Sequence, residues 1–148
     1  MERKKDRKAD FDHWFILSSK IKREGSIRIR IFMNGIIFFK TKKLKELKEF
    51  YQNEIGCEIW LEQADCCILK FGNMLFGFCD RETVDKCGMI TFFYETKAEV
   101  AKMYEKMKSI ADDKPKMNPK YRIYHFFAKD PEGRIIEFQW FWDEMKGI

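Results

Sequence analysis

The sequence is short of several features that define whole protein classes. Its 148 residues hold only 3 prolines and 8 glycines, too few for a collagen-like or low-complexity chain. No apolar run approaches the roughly 20 residues needed to cross a bilayer as a helix. The opening Glu2-Arg3-Lys4-Lys5-Asp6 has neither the apolar stretch nor the small-residue cleavage site of a secretory signal. The expectation is a soluble, cytoplasmic protein with no membrane partner. No P-loop, G-x-G-x-x-G, catalytic triad or paired-carboxylate signature rises above chance. The cysteines at 57, 66, 67, 79 and 87 include no C-x-x-C, so the paired ligands of a zinc site are missing. Their number is odd, and they are expected to be free, small, buried hydrophobes in a reducing compartment.

What the chain does have is apolar mass. It is 45% hydrophobic and 16% aromatic, enough to bury the core of one domain of ordinary size. Its net charge of +5 hints at nucleic acid until it is divided along the chain. Residues 1–32 carry 10 Lys/Arg against 5 acids, which leaves 19 of each in residues 33–148. A neutral body offers no sustained attraction to phosphate, so no nucleic-acid partner is expected.

Residues 1–32 therefore read as a basic extension, disordered over its charged first ten residues. Phe11, Trp14, Phe15, Ile16 and Leu17 form an apolar patch within it, and Ile27, Ile29 and Ile31 alternate with Arg28 and Arg30 as in a half-buried strand. Met33 is a candidate natural start, which would leave the extension untranslated.

From residue 33 the pattern is strand, helix, three strands, and then the same again. Gly35–Thr41 is β-rich, and Leu44, Leu47, Phe50, Tyr51 and Ile55 recur at helical spacing through a helix predicted over 42–54. Gly56 stands where a helix-ending glycine belongs. Strands follow at 57–62, 65–71 and 74–79, the last two joined by Gly72-Asn73, a hairpin signal. Alternation sends the side chains of Cys66 and Cys67 to opposite faces. The second half repeats with a strand at 89–94, a helix carrying Val100, Met103, Tyr104, Met107 and Ile110, a weak strand near 116–121, and strands at 122–128 and 134–142. Asp130-Pro131-Glu132-Gly133 forms the turn between the last two. Phe38-Phe39-Lys40-Thr41-Lys42 also matches Phe93-Tyr94-Glu95-Thr96-Lys97 at a spacing of 55 residues, each at a strand-to-helix junction.

Tandem βαβββ units ending in Ala128-Lys129-Asp130-Pro131-Glu132-Gly133-Arg134-Ile135-Ile136-Glu137-Phe138 resemble the vicinal oxygen chelate superfamily, the group of glyoxalases, bleomycin-resistance proteins and extradiol dioxygenases. The turn matches the family's D-P-[DE]-G-N-x-[IL]-E-[LF] pattern except for Arg134 in place of Asn. Leu44, Phe50-Tyr51 and Ile55-Gly56 resemble the family's first helix. The resemblance implies an α+β fold whose curved sheets surround a central cavity, with module one at about 33–84 and module two at about 85–143, often completed by a homodimer. In the family's enzymes, a His or Gln on each module's first strand and carboxylates on the last strands hold a divalent metal.

Tested residue by residue, those ligand positions fall on Ile36 in the first module, and on Met89 or Thr91 in the second. Leu75–Phe78 supplies no carboxylate, so Glu137 alone matches a ligand position with a ligand residue. No metal or other cofactor is expected, since a catalytic metal normally takes about three protein donors. Glu137 is a candidate hydrogen-bond acceptor or general base, or else a carboxylate satisfied by Gln139, His125 or a lysine. His125 is a candidate proton relay or an ordinary bonded strand histidine, and His13 lies in the extension. Phe38, Phe93 and Phe141 share inner-face parity with Gln139 and could line an aromatic cavity; Trp60 is a further candidate without an assigned face. Phe138, Trp140 and Trp142 are expected to pack against the helices. Lys42, Lys43, Lys45 and Lys48 read as a solvated helix face, with Lys42–Glu46 and Lys45–Glu49 as i,i+4 pairs.

The leading expectation is a metal-free, non-enzymatic protein that binds a small organic ligand in an aromatic cavity, like bleomycin-resistance proteins. The alternatives are a metal-dependent lyase, isomerase or dioxygenase using Glu137, and an interaction module whose cavity is filled by its own side chains.

Overall fold

A computed structural model describes residues 34–145. The Phe11–Leu17 patch, His13, the Ile27–Ile31 alternation and the Met33 start all lie outside the described residues. Within them the order is β1 (Ile36–Thr41), α1 (Leu44–Glu49), β2 (Glu58–Glu62), β3 (Cys66–Phe71), β4 (Met74–Asp80), β5 (Met89–Tyr94), α2 (Lys97–Met107), β6 (Lys116–Asn118), β7 (Ile123–Lys129) and β8 (Ile135–Phe141). The predicted first helix is two pieces, α1 and a π-helical continuation over Phe50–Ile55, ended by Gly56 in the left-handed region at φ 89°. Thr96 caps α2 through a reciprocal pair with Glu99. No helix among the described residues is long and apolar enough to cross a membrane.

The eight strands make two four-stranded mixed sheets with one order used twice: β1-β4-β3-β2 and β5-β8-β7-β6. In each, the first strand of the module runs parallel to its last, and the remaining pairs are antiparallel. That shared order establishes the repeat more firmly than the short sequence match does.

One face of each sheet carries the core. Phe76 and Phe78 of β4, Phe92 of β5 and Phe138 of β8 are at most 2% exposed, packed with Leu47, Tyr51, Val100 and Met107 from the helical segments. Phe92 bridges the modules, with its ring centroid 4.9 Å from Phe71 and 5.7 Å from Phe138. Among the described residues, the helices pack on that core face, and none lies on the other face of either sheet. Trp140 packs against the core, but Trp142 is exposed and stacks on Arg122, because β8 ends at Phe141.

A polar knot also ties the modules. Arg134 is fully buried, and its guanidinium donates to Asp130 at 2.6 Å, to Glu132 at 3.1 Å and to the Asp85 carbonyl at 2.8 Å. Its charge lies 5.3 Å from the Phe39 ring centre and 5.0 Å from that of Phe78. Asp130 also accepts from the Tyr51 hydroxyl, and Glu132 accepts from the Thr41 hydroxyl and the Lys42 N–H. The residue that departs from the family's turn pattern thus bonds both carboxylates of that turn.

Two expectations are corrected here. Cys66 and Cys79 are not free thiols: they sit opposite each other on β3 and β4 and form a disulfide, while Cys57, Cys67 and Cys87 are free. The expected i,i+4 pairs Lys42–Glu46 and Lys45–Glu49 are not the ones that form either. Lys43 meets Glu46 at i,i+3, and Lys48 reaches Glu62 on β2, because the sheet edge offers a nearer carboxylate.

Candidate functional site

The polar residues that the core does not use converge on the helix-free face of the second sheet. Parallel pairing sets Thr91 of β5 directly opposite Glu137 of β8. Antiparallel pairing sets His125 of β7 opposite Gln139, one step along the same face. Glu137 is 5% exposed and His125 6%, so each needs a partner, since an unpaired buried polar group is costly. His125 Nδ1 lies 2.7 Å from Glu137 Oε1, and the Thr91 hydroxyl donates to Glu137 Oε2 at 2.9 Å.

This arrangement has a defined chemistry. An Nδ1–H that donates to the carboxylate leaves Nε2 as the lone-pair nitrogen of neutral His125. A proton taken at Nε2 would then be compensated by the Glu137 charge, the way a carboxylate supports an imidazole base.

Apolar side chains frame the trio. Phe93 and Phe141 meet edge to face with ring centres 5.8 Å apart. Met89 pairs with Ile135 at the near end of the strands; the two are 47% and 42% exposed, and Phe93 is 44% exposed. Gln139 pairs with Phe93 and is half-buried.

The first module presents different chemistry on the equivalent face. There β1 sets Ile36 opposite Leu75 and Phe38 opposite Gly77. The Phe38 ring lies over Gly77, where an added Cβ would stand 2.7 Å from its carbons, so only glycine lets the ring sit there. Trp60 falls at a register shift between Ile59 and Leu61 and points 52% of its surface to solvent. Glu137, His125, Thr91, Met89, Phe93, Gln139 and Phe141 therefore share one sheet face, whereas Ile36, Phe38 and Trp60 belong to the other sheet. Phe38 and Phe93 are about half exposed rather than enclosed. A cavity of about 540 Å³ lies elsewhere, bordered by Lys42, Lys45, Lys48, Glu62 and Cys66.

No family model matches the sequence, and no curated protein does. Solved structures do match. A glyoxalase/bleomycin resistance protein/dioxygenase from Nocardioides is 14% identical, with a TM-score of 0.61, over 91% of this chain and 97% of that one. A family enzyme of the same description from Burkholderia phytofirmans is 18% identical, with a TM-score of 0.63, over 71% and 95%. Lactoylglutathione lyase from Agrobacterium tumefaciens is 18% identical, with a TM-score of 0.58, over 77% and 96%. The fold is that of the vicinal oxygen chelate superfamily.

The vicinal oxygen chelate fold implies a metal between the two modules, and the strand register tests whether this chain's residues fit one. Thr91 lies 55 residues after Ile36, the spacing of the internal repeat, and each faces its module's last strand: Thr91 faces Glu137, Ile36 faces Leu75. Met89 faces Ile135 instead. The four equivalent positions thus hold two alkyl side chains, one hydroxyl and one carboxylate whose oxygens are already bonded. This donor set does not fit a divalent cation, which prefers about three anionic or imidazole donors at a catalytic site. No group of three or more His, Cys, Asp or Glu capable of holding a metal occurs among the described residues.

Of this constellation, sequence reasoning missed the bond from Thr91. Thr91 was visible as a position, but its partner is set by the parallel pairing of strands 46 residues apart. The ring-over-glycine contact at Phe38 had no sequence signal at all.

Proposed function

We propose that the protein binds a small organic molecule on the helix-free face of its second sheet without a metal. Glu137, His125 and Thr91 supply the polar contact, and Met89, Phe93, Ile135 and Phe141 supply the apolar surround. The observation that carries this reading is that both carboxylate oxygens of Glu137 are already bonded within the sheet. A ligand is then held by shape, ring contact and the imidazole edge, as in sequestration by a bleomycin-resistance-type protein. A second copy of the chain is proposed to cover the half-exposed Met89, Phe93 and Ile135 and so close the site as a homodimer.

The test is elemental analysis after exposure to Ni²⁺, Zn²⁺, Mn²⁺ and Fe²⁺ and desalting, followed by a thermal-shift screen of flat aromatic compounds. The expected result is no stoichiometric metal, with hits whose shift disappears in Glu137→Gln or Phe93→Ala. Retained metal that vanishes with Glu137→Ala would replace this reading by the metal-dependent lyase, isomerase or dioxygenase.

A further inference from the structure

Two cysteines outside that site face each other on the first sheet. Cys66 opens β3 and Cys79 lies next to the end of β4, directly opposed, with Cα atoms 4.1 Å apart, and joined as a disulfide. The same row continues onto β1, where Lys40 pairs with Cys79. Cys66 is 7% exposed, whereas Cys79 is half-buried and the Lys40 side chain is 55% exposed. The reactivity of a disulfide follows access to its sulfurs and the charge beside them. Lys40 is held only loosely, 3.9 Å from Asp85. Asp80 follows Cys79, Arg81 pairs with Asp65 at the strand end, and Lys42, Lys45 and Lys48 border the cavity that Cys66 adjoins. The remaining thiols differ in kind: burial pushes Cys57 up to about 12 and also raises Cys67, so both are poor nucleophiles at neutral pH.

We propose that the Cys66–Cys79 disulfide is a thiol-exchange site for a low-molecular-weight thiol, which attacks at Cys79. The incoming thiolate forms a bond to Cys79 Sγ as the Cys66–Cys79 bond breaks. The electron pair leaves on Cys66, which takes a proton from solvent. A second thiolate attacks the mixed disulfide at the small-molecule sulfur, and Cys79 leaves as a thiolate beside the Lys40 ammonium. The protein gains two electrons and one proton, with Cys79 kept as a thiolate, while two small thiolates become one disulfide. The inference does not depend on what the second sheet binds.

The experiment uses the full chain with Cys87→Ser, because Cys87 is exposed and free. Protein purified without reductant should show two fewer free thiols on denaturation than after reduction. Cys66→Ser, which leaves Cys79 free, should form a mixed disulfide with 2-hydroxyethyl disulfide about tenfold faster than Cys79→Ser, which leaves Cys66 free. Adding Lys40→Gln to Cys66→Ser should slow that reaction about threefold, by removing the cation that favours the thiolate. The proposal is overturned if every cysteine is free in protein purified without reductant, if Cys79→Ser reacts as fast as Cys66→Ser, or if Lys40→Gln leaves the rate unchanged.

Discussion

At the scale of the residue, Arg134 and Arg122 show how little an ion pair's geometry says without its burial. Arg122 makes a bidentate pair with Asp143 at 2.6 and 2.8 Å, yet both side chains are more than half exposed. Such a pair is screened by solvent and contributes little to stability. Arg134 and Asp130 are fully buried, so removing the cation would strand the carboxylates of Asp130 and Glu132. Arg134→Met is expected to cost about 3–5 kcal/mol. Arg122→Met should leave stability nearly unchanged, and urea unfolding midpoints of the two variants check the contrast. The Asp-Pro-Glu-Gly turn could be read from the sequence. The burial of Arg134 could not, because Asp85, Phe39 and Phe78 come from 49 residues or more upstream.

At the scale of the element, the junction between the last hairpin and the first module carries a pH dependence. Burial pushes the Glu132 carboxyl up, but the Lys42 N–H, the Thr41 hydroxyl and the Arg134 guanidinium together outweigh it and hold the group below its ordinary range. A carboxyl depressed in the folded state contributes stability above its unfolded pKa, about 4.3, and loses it as pH falls through the folded value. Stability of the full chain should therefore drop as pH falls below about 4.3, and Glu132→Gln should flatten that drop while lowering stability at pH 7. Urea midpoints measured from pH 3 to 7, bracketing that pKa, check both. Strand boundaries were legible because alternation and turn residues are local signals. The π-helical turn was not, since the apolar spacing of Phe50, Tyr51 and Ile55 reads the same in either kind of helix. The disulfide was hidden for a similar reason: Cys66 and Cys79 are 13 residues apart, and only the register of β3 on β4 sets them opposite each other.

At the scale of the whole molecule, the modules are joined on their helix-bearing side, and among the described residues no helix lies on the other. Phe92 and the Arg134 knot hold the first together, whereas on the other Phe38, Met89, Phe93 and Ile135 keep 42–48% of their surface exposed. So many large apolar side chains on one chain favour association. Sedimentation velocity should therefore give about twice the 18.0 kDa chain mass, and Phe93→Glu combined with Met89→Glu should return it to one. The tandem architecture was legible because the order of elements repeats. The chemistry of the second sheet was legible only in part: Glu137 stood out by motif, but its engagement with His125 and Thr91 depends on strands brought together by the fold.

The repeated strand order has one more consequence. Thr91 facing Glu137 and Ile36 facing Leu75 are the same backbone address in the two modules, once furnished with a polar couple and once with hydrocarbon. The molecule carries its own blank. Anything that senses the second address and ignores the first is responding to side-chain chemistry and not to the scaffold, a comparison that most proteins permit only by mutation.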